Sequence, residues 1–187
     1  MKEERIKLIL LTGMPGSGKE EFVKMCAKRS IRVLRMGDFV RAEAASKGVP
    51  MTDSEVGGYA HRMREEKGYN YWAKRTAEAL DDKLALIDGL RGKDESDLFQ
   101  KRVKRGVIVV AVKASPHLRF QRLRSRGRSD APKTFAEFEE RDRREKSWGL
   151  GEVIANADMV LVNESTLEEF QKMAEEVLDD IIERSKE

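Results

Sequence analysis

The chain has 187 residues, enough for one domain with a substantial buried core. Charged residues make up 38% of it, yet the net charge is only +3. That is a mixed-sign surface, not the separated basic field of a nucleic-acid binder.

No apolar run is long enough to span a bilayer. The charged start, Met1 to Lys7, leads directly into a strand pattern with no cleavage site after it. The single cysteine, Cys26, has no internal partner. Together these predict a cytoplasmic protein with no membrane partner.

Lys7 to Thr12 reads as a first strand, short, apolar and bounded, as a strand covered on both faces should be. It feeds Gly13-Met14-Pro15-Gly16-Ser17-Gly18-Lys19 and then a helix from Glu20 to Lys28. This is the G-x-x-x-x-G-K pattern in its strand–loop–helix context. Its glycines let several backbone N–H groups approach a polyphosphate. The helix N-terminus and Lys19 add positive charge. A purine nucleotide, with ATP preferred, is the expected ligand of residues Gly13 to Glu20. The pattern usually ends in Ser or Thr, whose hydroxyl ligates Mg²⁺; here Glu20 and Glu21 follow the lysine.

Arg32 to Met36 reads as a second strand, followed by Gly37-Asp38-Phe39-Val40-Arg41. Asp38 and Arg41 share a helix face that can hold an acceptor at the sheet's carboxyl edge. Residues 37–83 carry two or three helices, one opened by the capping box Thr52-Asp53-Ser54-Glu55. Tyr69, Tyr71 and Trp72 are expected in the core or lining an acceptor pocket, and His61 and His117 lack metal-ligand spacing.

Leu84 to Asp88 reads as a third strand, ending in Asp88-Gly89-Leu90-Arg91. An acid at a strand tip beside a phosphate loop suits Mg²⁺, directly or through water. Gly106 to Lys113 is the fourth strand. After it, Arg119, Arg122 and Arg126 recur on one helical face, with Arg128 beyond in a loop from Gly127 to Pro132. Arg141 and Arg144 lie on a later helix begun by Thr134-Phe135-Ala136-Glu137, where Glu139, Glu140, Asp142 and Glu145 offer ion-pair partners. Such arginines suit the charge of a phosphoryl-transfer transition state. Met159 to Val162 is the fifth strand. The final helix, capped by Thr166 and Glu169, puts Leu167, Phe170, Ala174, Val177 and Ile181 on a stripe facing the sheet.

The phosphate loop, Asp38 with Arg41, the Asp88–Arg91 string and the arginine-rich segment resemble adenylate kinase and other nucleoside monophosphate kinases. The closing string Ala157 to Glu168, with Asn163, resembles the end of dephospho-CoA kinases. The combination is closest to an archaeal family of adenylate-kinase-related P-loop proteins. The strings that carry this are Gly13 to Lys19, Phe138 to Arg144, and Ser147-Trp148-Gly149-Leu150-Gly151-Glu152.

The resemblance implies a three-layer α/β P-loop kinase fold. Its parallel five-stranded sheet has order 2-3-1-4-5 with helices on both faces, in a single domain over 1–187. It implies an acceptor-binding insert at about 37–83 and an arginine-rich lid at about 115–157. It places Arg41 and Arg91 on the acceptor phosphate, Arg122 and Arg126 near the donor phosphates, and Arg141 and Arg144 on the far side of the lid.

The expected activity is transfer of the ATP γ-phosphoryl group to a small nucleotide acceptor. Lys19 and the loop hold phosphates, Asp88 organises Mg²⁺, and Asp38 orients the acceptor or takes its proton. Dephospho-CoA is the alternative acceptor. A nucleotide-binding regulator with little turnover stays open, favoured by the missing hydroxyl after Lys19. An RNA-associated NTPase is disfavoured by acids interleaved among the lid arginines.

Overall fold

The structure is a computed structural model, and it describes residues 5–103, 106–127 and 131–186. Arg128 and part of the expected lid loop lie outside the described residues.

The strands are β1 (Leu8–Thr12), β2 (Arg32–Arg35), β3 (Ala85–Leu90), β4 (Val107–Lys113) and β5 (Met159–Val162). They form one parallel sheet in the order β2-β3-β1-β4-β5, as expected. β1 lies at its centre, and all five of its residues are buried. Alternate side chains therefore feed two separate cores. Ile9 and Leu11 pack with Phe22, Val23 and Cys26 of α1 (Lys19–Lys28) and with Phe170, Ala174, Leu178 and Ile181 of α9 (Leu167–Lys186).

On the other face, Leu8 and Leu10 meet α2 (Met36–Ser46), α3 (Asp53–Lys67), α4 (Tyr71–Ala77) and α5 (Lys93–Val103). Their contributions include Val40, Ala60, Trp72 and Phe99. Between β4 and β5 come α6 (Pro116–Ser125), α7 (Phe135–Ser147) and α8 (Leu150–Ala155). No helix among the described residues is long and apolar enough to cross a membrane.

Several boundaries differ from the sequence reading. β3 runs on to Leu90 because its register with β1 shifts after Leu11, so that Thr12 pairs with Leu90 instead of Gly89. β2 stops at Arg35, and Met36 turns inward as the first residue of α2. On α9, Leu178 takes the fully buried place expected of Val177, and Leu167 is exposed because it sits at the helix start, beyond the sheet. Trp72 is fully buried, with Tyr71 edge-on to it, whereas Tyr69 is exposed. The capping box is complete at Thr166, where Glu169 and Thr166 each accept the other's backbone N–H at 3.1 and 3.2 Å.

Candidate functional site

The phosphate loop leaves the carboxyl end of the central strand. Thr12 fixes its start by donating its hydroxyl to the Leu90 carbonyl at 3.0 Å. Gly13 follows with φ 147°, and a Cβ there would lie 2.4 Å from the Val112 carbonyl oxygen. Only glycine lets the loop lie this close to β4. The loop enters α1 through Gly18, and no side chain caps the first turn. The amides at this helix start are thus donors without a capping acceptor, at the positive end of the helix dipole.

Lys19 folds its ammonium group back onto the loop, donating to the carbonyls of Gly13 at 2.6 Å and Met14 at 3.3 Å. The loop wraps this group, and burial draws its pKa from 10.5 down to about 8, against the pull of the nearby Asp88 carboxylate. Ser17 is fully buried, and its Oγ has no hydrogen-bond partner among the described residues.

Beside the loop, Arg35 spans two acids. Its Nη1 and Nη2 donate to Oε2 and Oε1 of Glu20 at 2.8 and 2.9 Å, and Nη1 also reaches Oδ2 of Asp88 at 3.3 Å. The Arg35 hydrogen bond holds the Glu20 carboxyl below its ordinary pKa, while burial raises that of Asp88. The other oxygen of Asp88, Oδ1, is buried without a hydrogen-bond partner among the described residues. A hard, desolvated carboxylate oxygen of this kind fits Mg²⁺, which takes one or two carboxylates and completes its shell with water and phosphate oxygens. No group of three or more His, Cys, Asp or Glu that could hold a metal ion converges anywhere among the described residues.

On the expected acceptor side, Arg41 donates to Asp38 at 2.5 Å, with both side chains exposed on α2. They share a face, as expected, but neutralise one another. Arg91, just past β3, donates through Nη1 to both oxygens of Glu145 on α7, at 2.7 and 2.6 Å. Glu95 ties the same corner together. One oxygen accepts from the Arg91 backbone N–H at 2.7 Å and the other from Arg64 at 3.0 Å. The Arg91 and Arg64 guanidinium groups lie 5.3 and 5.5 Å from the centre of the Trp148 ring. A Cβ on Gly92 would meet the Trp148 carbonyl at 2.8 Å, so the end of α7 is docked on the turn that carries Arg91.

The arginines after β4 have three different environments. Arg119 is buried, donates to the Pro15 and Ala114 carbonyls at 3.1 and 3.2 Å, and forks onto Asp142. It fastens α6 and α7 to the phosphate loop. Arg122 is half-buried and donates to the Asn163 backbone and side-chain oxygens at 3.1 and 3.0 Å. Asn163 in turn donates to the Ser17 carbonyl at 2.9 Å. Arg126 is exposed at the end of α6, and its charge bears on both Lys19 and Glu20. On α7, Arg141 is half-buried and Arg144 exposed. Two of the four acids offered by the sequence as local partners on this helix behave otherwise: Asp142 and Glu145 are buried and cross to Arg119 and Arg91.

The sequence reading gave no role to Arg35, Arg64, Glu95, Trp148 or Asn163, and it offered Glu145 only as a local ion-pair partner. Arg35 could have been found as a cation closing an apolar strand at the edge where α/β ligands bind. Trp148 and Asn163 lay inside strings already singled out.

Residues 9–149 match the AAA domain family. A UPF0200 protein of Thermococcus onnurineus is 40% identical over 181 residues, covering 94% of this chain and 98% of its own. Another, from Thermoplasma volcanium, is 42% identical over 174 residues, covering 92% and 97%. Among solved structures, a shikimate kinase from Bacteroides thetaiotaomicron superposes with TM-score 0.62 at 15% identity, covering 92% of this chain and 98% of that one. A gluconokinase from Sinorhizobium meliloti gives 0.56 at 13%, covering 97% and 99%. At such identities the likeness speaks for the fold alone. The chain belongs to the UPF0200 family of archaeal proteins, with an AAA domain of the P-loop kinase-like fold.

Proposed function

We propose that the chain is an ATP-dependent kinase that transfers the γ-phosphoryl group to a small nucleotide acceptor, a nucleoside monophosphate being preferred. The observation that carries this reading is the uncapped start of α1 beside the Lys19 ammonium, with the desolvated Asp88 carboxylate opposite. Unpaired amides and one buried cation suit a polyanion, and the acid suits the cation that accompanies it.

In this reading the Gly13–Gly18 amides and Lys19 grip the β- and γ-phosphates, and Arg122 and Arg126 neutralise charge from the α6 side. Arg41 and Arg91 bind the acceptor phosphate, and Asp38 orients the acceptor or takes its proton. Arg141 and Arg144 close from α7. Mg²⁺, held by Asp88 and Glu20, would neutralise donor phosphate charge when bound. Residues of about 37–83 form the acceptor insert and about 115–157 the lid, whose closure excludes water.

Dephospho-CoA is the alternative acceptor, on the strength of the closing string around Asn163. A nucleotide-binding regulator with little turnover is favoured by one observation: Glu20 stands in place of a hydroxyl and is tied to Arg35. The protein is incubated with ATP and Mg²⁺ alone, then with AMP, CMP, GMP, UMP and dephospho-CoA in turn, and ADP release is measured. Acceptor-dependent ADP supports the kinase and names its substrate. ATP binding without turnover favours the regulator.

A further inference from the structure

We infer that Arg35 is the built-in counter-cation of the metal position, held by Glu20 and Asp88 and exchanged for the divalent ion that arrives with the nucleotide. The inference rests on the kinase reading for the assignment of Asp88 and Glu20 to the metal; the part played by Arg35 is additional.

The geometry supports this in three ways. Glu20 follows the loop lysine directly, at the position whose side chain faces the divalent ion in the common form of this loop. Asp88 follows the buried run Ala85–Ile87 of β3 and is itself partly exposed. The Arg35 guanidinium lies between them, forked onto both Glu20 oxygens at 2.8 and 2.9 Å and touching Asp88 at 3.3 Å.

Glu20 has both oxygens on Arg35, but Asp88 is only partly satisfied. Its Oδ1 is buried without a partner among the described residues, although Arg35 is adjacent. A guanidinium is planar and cannot serve acceptors arranged around a point, whereas a small divalent ion can. Glu20 and Asp88 together carry two negative charges, and Arg35 offsets one. A divalent ion bridging them would offset both and release Arg35 toward solvent, where about a third of its side chain is already exposed.

This accounts for the missing hydroxyl. A Ser or Thr is a neutral ligand and needs no counter-ion. A glutamate beside an aspartate, in a site half shielded from water, would repel it unless a cation stood between them. Arg35 supplies that cation and so makes the carboxylate tolerable. It is a positioning residue: it sets the affinity of the free protein for metal and keeps the site from filling before the nucleotide brings its own charge.

The probe is Mn²⁺, followed by loss of the free-ion electron paramagnetic resonance signal, on the full chain without nucleotide. Wild type should bind weakly. Arg35→Gln should bind roughly tenfold or more tightly, since a unit charge a few ångströms away is removed. Arg35→Gln combined with Glu20→Gln should lose that gain. Arg35→Lys, which keeps the charge without the fork, guards against a folding defect and should fall between wild type and Arg35→Gln. Circular dichroism melts check each variant.

Equal Mn²⁺ affinity in wild type and Arg35→Gln, or a gain that survives the Glu20 change, overturns the inference. Mg·ATP binding by the wild type is measured in parallel. If ATP binds but the Mn²⁺ affinities are equal, only the role of Arg35 fails. If ATP does not bind at all, the kinase reading fails and this inference with it.

Discussion

Glu145 is held by Arg91 across 54 residues of sequence, through contacts of 2.7 and 2.6 Å from one guanidinium nitrogen to its two oxygens. Arg91 is the arginine expected to grip an acceptor phosphate, so a carboxylate already stands where that anion would pair. On the proposed assignment of Arg91, acceptor binding would compete with the contact that holds α7 to the turn after β3. Trp148, 5.3 Å from the same guanidinium, sits where it would sense the exchange.

Glu145→Gln should therefore strengthen acceptor binding several-fold by freeing Arg91. It should also lower stability by about 1–2 kcal/mol, less than for a fully buried pair because Arg91 keeps contact with water. Titration of AMP against Trp148 emission, with melting curves alongside, checks both. Weaker acceptor binding in this variant would show that Glu145 orients Arg91 instead of competing for it.

Lys19→Ala should reduce phosphoryl transfer by about a thousandfold while leaving the fold intact, because the ammonium bonds only two loop carbonyls. A proton count tests the same residue by another route. Burial brings the free pKa to about 8, so the ammonium is largely deprotonated one pH unit above that. Bound phosphates favour the charged form and raise the pKa, so ATP binding at about pH 9 should take up close to one proton, and at about pH 7 almost none. Calorimetry in buffers of different ionisation enthalpy measures this, and the uptake should vanish in Lys19→Ala. The same lowered pKa implies that the buried ammonium disfavours folding below about pH 8. That penalty fades as pH rises from there toward 10.5.

The phosphate loop and the apolar run that carries Asp88 could be read from local pattern, whereas the order of the sheet came from the resemblance to P-loop kinases, because parallel pairing joins strands far apart in the chain. Glycine spacing, a short apolar run and a turn signal need only their immediate neighbours. Asp142 and Glu145 show where such reading stops. Four and three residues from other charges on one helix, they look like solvated ion-pair partners, yet tertiary packing buries both and joins them to arginines on α6 and after β3. Nothing in the spacing of α7 tells which of its charges will lose solvent. Arg35 was hidden for the same reason: its two acids come from α1 and β3, 15 residues before and 53 after it.

Asn163→Ala should weaken ATP binding by about tenfold, or 1.4 kcal/mol. Its amide donates to the Ser17 carbonyl inside the loop, and its oxygens receive Arg122, so one side chain joins β5 to the phosphate loop and to the α6 arginine. Asn163→Asp keeps the size but sets a carboxylate against the Ser17 carbonyl, and should be worse than alanine. Equilibrium binding of a fluorescent ATP analogue would rank the three proteins, and an alanine variant with wild-type affinity would remove Asn163 from the site.

Arg119 and Asp142 give a prediction about stability with no reference to activity. Both are buried, and the pair fastens α6 and α7 to each other and, through the Pro15 carbonyl, to the phosphate loop. Removing one partner leaves the other charged and desolvated, so Arg119→Met or Asp142→Leu alone should lower stability by about 3–5 kcal/mol. The double variant leaves no charge behind and offers apolar surface to Phe138, whose ring lies 4.8 Å from the Arg119 guanidinium. It should be more stable than either single variant, by about 1 kcal/mol or more. Urea denaturation of the four proteins closes the cycle. A double variant as unstable as the sum of the singles would mean that the two residues act separately and that α7 is held by other contacts.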